Sequence, residues 1–402
     1  MAGELDQLFG VNGAVVDWAV RGTDKTSAVA ITGNDIVAAG LTAGDIFLVR
    51  WDMDGRRDDS FGTVGNFRYS FPPLAGMVAL PRLALAPDGG LVVATLADMI
   101  SRREVVLLRV DLSGRHDEKF GSGGVVLTNV FPPGDPDPRV DITIQQDGDI
   151  IAASSAFSER GEGFGIARYH PDGARDVTFG VLGVVSIAGM GGQVCARSVV
   201  LQPDGKIVVA GSIGEADPGD IALARCHPDG QLDTSFADDG RAVFPAIGGV
   251  GDHVNALVMQ PDGKLVVGGW SDGLDPGSGE SRRNFALLCC NADGSRDRSF
   301  GADGVVTTSI GRHAEIHGLA LQPDGSIVAC GFGESGAALA RYTANGALDV
   351  GFGQGGAGLL DLSRMRVASA VAIQPDGDIV VAGRTGRFLG DRSVAVARVK
   401  GS

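Results

Sequence analysis

The sequence is poor in the residues that usually mark out chemistry. Its five cysteines (Cys195, Cys226, Cys289, Cys290 and Cys330) are an odd number with no C-x-x-C pair. They give neither a disulfide framework nor a thiolate metal site. Reduced thiols acting as small apolar side chains are expected. Lys and Arg number 34 against 49 Asp and Glu, a net charge of -15. With no basic excess to displace counterions, nucleic acid is not an expected partner. No run approaches the roughly 18 apolar residues of a membrane-spanning helix. Repeated sequence begins by Leu5, which leaves no room for a cleaved leader. The expectation is a cytoplasmic protein, or one exported without a cleaved signal peptide in this chain. No G-x-S-x-G elbow, Walker loop or dinucleotide fingerprint is present.

What the chain has instead is repetition. Asp-x-x-Phe with Gly four residues later recurs seven times, with the aromatic at Phe9, Phe61, Phe120, Phe179, Phe236, Phe300 and Phe352. A second phrase, LQPDGKIVVAG at Leu201 to Gly211, recurs around Asp88-Gly89, Asp147-Gly148, Asp262-Gly263, Asp324-Gly325 and Asp376-Gly377, with a worn copy at Gly33-Asn34. Asp-Gly between runs of Val, Ile, Leu and Ala signals a hairpin, because Gly supplies the positive φ such turns require. A third phrase of the Ala-Leu-Ala-Arg-Tyr type ends in Arg50, Arg109, Arg168, Arg225, Arg341 and Arg398, and a short strand such as Gly304 to Thr307 follows each corner. Each unit therefore reads as a four-stranded meander that cannot bury a core alone. The chain opens in mid-unit and stops after a third strand. The expected fold is thus an all-β, seven-bladed β-propeller of four-stranded antiparallel blades. It forms a single domain over 1–402, closed by an N-terminal strand within 4–19 that pairs with a C-terminal blade at 367–400.

The alternation of QPDGKIVVAG, ALARY and the Asp-x-x-Phe-Gly corner resembles the bacterial delta-60 repeat family, and the resemblance covers residues 4 to 400. It implies a propeller and brings no catalytic or binding motif with it. The recurring Arg and Asp read as scaffold, Arg225 bracing Asp233 across one turn, because an active site needs only one copy. In the fifth unit Cys289 takes the Arg position. There Arg296 or Arg298 is expected to brace Asp297, the alternative being that Cys289 is a reactive thiol.

Function is expected where the repeats differ. The variable segments Leu96 to Glu104, Ser158 to Gly163, Ser271 to Arg283 and Arg384 to Arg392 fall on one face of the ring, and loops on a rigid scaffold carry most binding chemistry. Aligning the entry into each inner strand puts Arg197, Asn255 and His317 at one equivalent position, and Cys195, His253 and Glu315 two residues earlier. Other blades offer Ser369, Val140 and Pro81, so the opposite arc is expected to be small or apolar. Arg197, His253, Asn255, Glu315 and His317 are the candidate ligand-binding residues at the mouth of the central channel. The other reading makes them solvated loop residues. His313, Glu315 and His317 span too great a length of strand to meet one ion, and no metal or cofactor is expected. Two acidic loops, 134–138 and 215–220, lack the Ca²⁺-loop pattern and read as exposed turns.

Two function classes follow. One is a binding propeller, expected to be a monomer, that presents its variable face to a small molecule, glycan or protein. The other is an enzyme, a lyase, hydrolase or cyclase, using His with Glu or Arg in the channel mouth.

Overall fold

The computed structural model describes residues 1–22, 25–71, 76–77, 79–99, 102–131, 139–158, 161–214, 219–245, 247, 251–274, 279–360, 365–386 and 392–402. They form seven antiparallel sheets. Blade 4 shows the plan. Its inner strand Val194–Leu201, second strand Ile207–Ile213, third strand Asp220–Cys226 and outer strand Arg241–Phe244 pair in chain order. At the first hairpin the Gln202 amide donates to the Lys206 carbonyl at 2.8 Å and the Gly205 amide to the Gln202 carbonyl at 2.9 Å. With Gly205 at φ 81°, Pro-Asp-Gly makes a three-residue loop closed by a glycine in the left-handed region.

The inner strands of the seven blades are Lys25–Thr32, Arg82–Leu85, Val140–Ile144, Val194–Leu201, Asp252–Met259, Glu315–Leu321 and Met365–Ile373. Each touches the next, and the last touches the first. Blade 7 takes its outer strand from the other end of the chain: Ala14–Gly22 pairs with Arg392–Val399, with Ala14 opposite Ala397 and Asp17 opposite Val394. Each blade interface holds its own apolar cluster. Strand alternation explains the continuous apolar runs in the sequence. Ile207 and Val209 pack toward blade 3 with Phe164 and Phe179, whereas Val208 and Ala210 pack toward blade 5 with Val254 and Leu265.

One face of the ring is fastened by the repeated Arg. Arg225 donates from Nε to Asp233 at 2.8 Å and from Nη1 to the carbonyl of Ala292 in the next blade at 2.5 Å. Its guanidinium also lies 4.6 Å from the centre of the Phe236 ring. Burial pushes the Asp233 carboxyl up, but hydrogen bonds from Ser235 and the charge of Arg225 outweigh it and hold the group below the usual carboxylate range. Arg398 closes the circle, bonding Asp6 at 2.7 Å and the Met53 carbonyl of blade 1 at 2.5 Å.

Blade 5 corrects one expectation. Lys264, not Arg296 or Arg298, meets Asp297 at 3.0 Å, and Gln260 donates to the Ala344 carbonyl of the next blade at 2.8 Å. Arg298 instead pairs with Asp303 at 3.1 Å, and Arg296 lies over Phe244. Cys289 is fully buried. Burial and the neighbouring Asp297 push its thiol up to about 12, which disfavours the thiolate that a reactive cysteine needs.

Candidate functional site at the channel mouth

The hairpins and corners share one face, so the N-terminal ends of the inner strands open on the other. In five blades the pairing between inner and second strand skips one residue there: Ser27, Arg197, Asn255, His317 and Ser369. Each is a β-bulge, which sets two residues against one and re-aims a side chain. A glycine on the second strand, the last residue of the VVAG phrase, leaves room for the bulge. A Cβ at Gly331 would lie 1.8 Å from the Glu315 carbonyl oxygen, and one at Gly269 would lie 1.6 Å from that of His253. Gly40, Gly211 and Gly383 meet the same obstruction.

In blades 2 and 3 that glycine is replaced by Thr95 and Ser154; in blade 3 the pairing runs without a skip from Val140 to Ile144, whereas in blade 2 it breaks between Arg82, opposite Ala94, and Met77, opposite Ala97, and shifts register by two residues. The hydroxyls take over the carbonyls of the entering chain, Thr95 donating to Ala79 and Ser154 to Arg139, each at 2.7 Å. Arg82 and Arg139 stand at these two entrances.

The ring encloses a cavity of about 390 Å³ at this mouth, to which every blade except the fourth contributes. Four of the five bulged residues line it: Ser27, Asn255, His317 and Ser369. Asn255 is almost fully buried, donating to the Ile316 carbonyl at 2.7 Å and accepting from Arg139 Nη1 at 3.2 Å. Glu315 and His317 are brought together, with His317 Nε2 3.5 Å from Glu315 Oε2. Arg283, from the third strand of blade 5, donates to Glu315 at 2.5 Å and to Asp272 at 2.9 Å. Burial raises the Glu315 carboxyl, yet the bonds from His317 and Arg283 prevail and hold it at about 2.

Of the five expected site residues, Asn255, Glu315 and His317 line the cavity, whereas Arg197 and His253 do not. Arg197 is buried at its bulge. His253 stacks on Trp270, ring centres 4.2 Å apart, and it is Trp270 that reaches the cavity. The expectation of an apolar opposite arc is also corrected: Lys25, Arg82, Arg139 and Arg384 stand there. Phe332 was missed as well. Arg82 and Arg139 lie one residue to either side of the aligned position, and Trp270, Phe332 and Arg384 belong to second strands. The exchange of the VVAG glycine for Thr95 and Ser154 was the available signal for the first pair.

His313, Glu315 and His317 do not form a ligand cluster. Among the described residues, the one group with metal-ligand spacing is Asp149, His170 and Asp176, on the hairpin face. There Arg168 already pairs with Asp176 at 2.6 Å and Asp149 at 3.7 Å. Residues 134–138 and 215–218 of the acidic loops lie outside the described residues.

Four stretches, 145–179, 202–236, 260–300 and 322–352, match the family model "Domain of unknown function (DUF5122) beta-propeller". Each runs from the glutamine before a hairpin to a corner phenylalanine. The chain is a β-propeller repeat protein. No curated protein matches it by sequence. Among solved structures it resembles the polysaccharide lyase Uly1 at 12% identity, covering 99% of this chain and 93% of that one with a TM-score of 0.54. It also resembles an ulvan lyase of a new polysaccharide lyase family, at 10% identity over 95% and 96% of the two chains, with a TM-score of 0.53. An α-L-arabinofuranosidase from Fusarium graminearum matches at 10% identity over 82% and 94%, with a TM-score of 0.46. At such identities the likeness is one of fold.

Proposed function

We propose that this propeller binds a small ligand in the channel mouth, against His317, Glu315 and Asn255, and that its repeats are of the delta-60 kind. The observation that carries the reading is the cavity, where bulged side chains from separate blades meet on a rigid ring. Concave sites with a few convergent polar groups and an apolar wall are what ligands need for orientation and affinity, and Trp270 and Phe332 supply part of that wall.

A second reading, catalysis at the same site, is favoured by the relay from Asp272 through Arg283 and Glu315 to His317. An imidazole oriented by an ionised carboxylate is equipped for general acid–base work. Propellers of this fold include polysaccharide lyases, so the architecture is compatible with such chemistry.

A small-molecule library screened by thermal shift, followed by titration of the hits, tests the binding reading. His317→Ala is expected to weaken binding at least tenfold, about 1.4 kcal/mol, with the unfolding midpoint unchanged. Hits indifferent to His317→Ala, or seated on the hairpin face in a crystal, would overturn it. Turnover of a hit that His317→Ala abolishes would favour the enzyme.

A further inference from the structure

Each corner phenylalanine is followed by a two-residue hairpin turn that starts the outer strand. In blade 1 the Thr63 amide donates to the Asn66 carbonyl, and in blade 3 the Val181 amide donates to the Val184 carbonyl, each at 2.8 Å. Both turn residues have positive φ, 54° and 76° at Val64 and Gly65, 52° and 88° at Leu182 and Gly183. Such a turn calls for Asn-Gly, Asp-Gly or Gly-Gly. The other blades comply, with Asn12-Gly13, Gly123-Gly124, Asp239-Gly240, Asp303-Gly304 and Gly355-Gly356. Blades 1 and 3 break the rule with Val64 and Leu182, and a branched side chain in the left-handed region is strained.

The strained side chains are also unburied. Val64 is 75% exposed and Leu182 68%, so little packing within the chain offsets the strain. Leu8 of blade 7 departs from its repeat by a different route. Its counterparts Ser60, Thr178, Ser235 and Ser299 each donate a hydroxyl to the corner aspartate at 2.5 or 2.6 Å. Leucine cannot make that bond, and Leu8 is exposed as well. Val11 and Val181, one residue before the turns of blades 7 and 3, stand exposed beside them. Turn chemistry and a hydrogen bond are thus given up for aliphatic groups that face water. Residues held against local preference concentrate where function requires them.

The position of these groups limits what they meet. They occupy equivalent places on a closed ring of like repeats, so they stand at one level around the rim of the hairpin face. They lie on blades 7, 1 and 3, with the small Ser122-Gly123 pair of blade 2 between, whereas blades 4 and 5 carry Asp238, Asp239 and Asp303 at the same places. A protein partner would need a separate pocket for each tip. A lipid surface is flat and accepts every tip without being shaped to it.

We propose that this arc of the hairpin-face rim docks on a zwitterionic lipid surface, with Leu8, Val11, Val64, Val181 and Leu182 inserted at the boundary between headgroups and acyl chains. The molecule then leans on blades 7, 1, 2 and 3, with the acidic turns of blades 4 and 5 tilted away. The channel mouth, on the opposite face, stays open to water. Several tips are needed, because one aliphatic side chain gives only a weak hold.

The full-length protein would be pelleted with sucrose-loaded phosphatidylcholine vesicles. It is expected to sediment with them, and the double variant Val64→Asn, Leu182→Asn is expected to lower the ratio of bound to free protein at least about fivefold. Asparagine is what blade 7 uses at that place, so the double variant should unfold at an equal or higher urea midpoint. A lower midpoint would overturn the proposal by showing that the two side chains serve the fold. Vesicles containing phosphatidylserine should hold the protein less well, since the chain carries a net charge of -15. Tighter binding to them would overturn the apolar mode of attachment, and protein that stays in the supernatant with both lipids would overturn docking altogether. A dimer in light scattering that the double variant dissociates, with no vesicle binding, would overturn the lipid assignment and make the occupant a second copy.

Discussion

The two faces of the ring are made from the same repeats and treat departures from them differently. On the hairpin face, blade 5 loses its arginine to Cys289, and the contacts that neighbouring blades make beside the arginine remain: Lys264 meets Asp297 as Lys206 meets Asp233, and Gln260 reaches the next blade as Gln322 does. On the mouth face, blades 2 and 3 lose the glycine that leaves room for the bulge in the other five. Nothing restores it there. Thr95 and Ser154 instead hold the entering chain through its carbonyls, and Arg82 and Arg139 stand at the cavity where other blades present a bulged side chain. A face that joins neighbours must keep its contacts whatever residues supply them. A face that meets solvent is free to turn a change of residue into a change of chemistry.

The comparison breaks most severely at Asp233. Removing that carboxylate leaves Arg225 buried beside Phe236, its side chain 7% exposed, and breaking one partner of a buried pair costs about 4 kcal/mol. Asp297→Ala is expected to cost only about 1 kcal/mol, because Lys264, 33% exposed, can turn to water. Urea unfolding of the two variants reads the difference, and equal losses would show that the two pairs are equivalent.

On the mouth face, Gly331→Ala puts a Cβ into the Glu315 carbonyl. Overpacking of this kind costs about 2 kcal/mol, and the bulge that aims His317 should be lost with it. Ligand titration of a variant that remains folded is expected to show the defect of His317→Ala. Undiminished binding would show that the glycine does not set the bulge.

The smallest expected effect sharpens the electrostatics of the mouth. Glu315 titrates at about 2 in the fold against an ordinary 4.5. The unfolded chain therefore takes up this proton first as pH falls, and the stabilisation is present above about pH 4.5 and is lost on the way to pH 2. Glu315→Gln should flatten that part of the acid slope in urea midpoints measured against pH. An unchanged slope would mean that Arg283 and His317 do not hold the carboxylate.

Much of this was legible in the chain, and unevenly so. The seven corners, the hairpins and the Arg–Asp bracing are local in sequence, with partners eight residues apart such as Arg225 and Asp233, so a repeated phrase displays them directly. Lys264 lies 33 residues before Asp297, a separation at which the pairing has no local sign. At the mouth, alignment found Asn255, Glu315 and His317 because they occupy equivalent inner-strand positions. It gave Arg197 and His253 the same standing, although neither lines the cavity.

By itself, the sequence determined the number of blades, the order of their strands and the way the first residues complete the last blade. Apolar runs of this length can be buried only between neighbouring copies, and a unit begun at one end can be finished only at the other. Only the tertiary structure decided the composition of the mouth. Closure brings Lys25 and Arg384, or Arg139 and Asn255, to one recess across more than a hundred residues of chain. The pleat and the bulge then choose which side chain of each strand faces inward. That choice depends on a steric contact between a glycine and a carbonyl on the neighbouring strand, a relation the linear order of residues does not display.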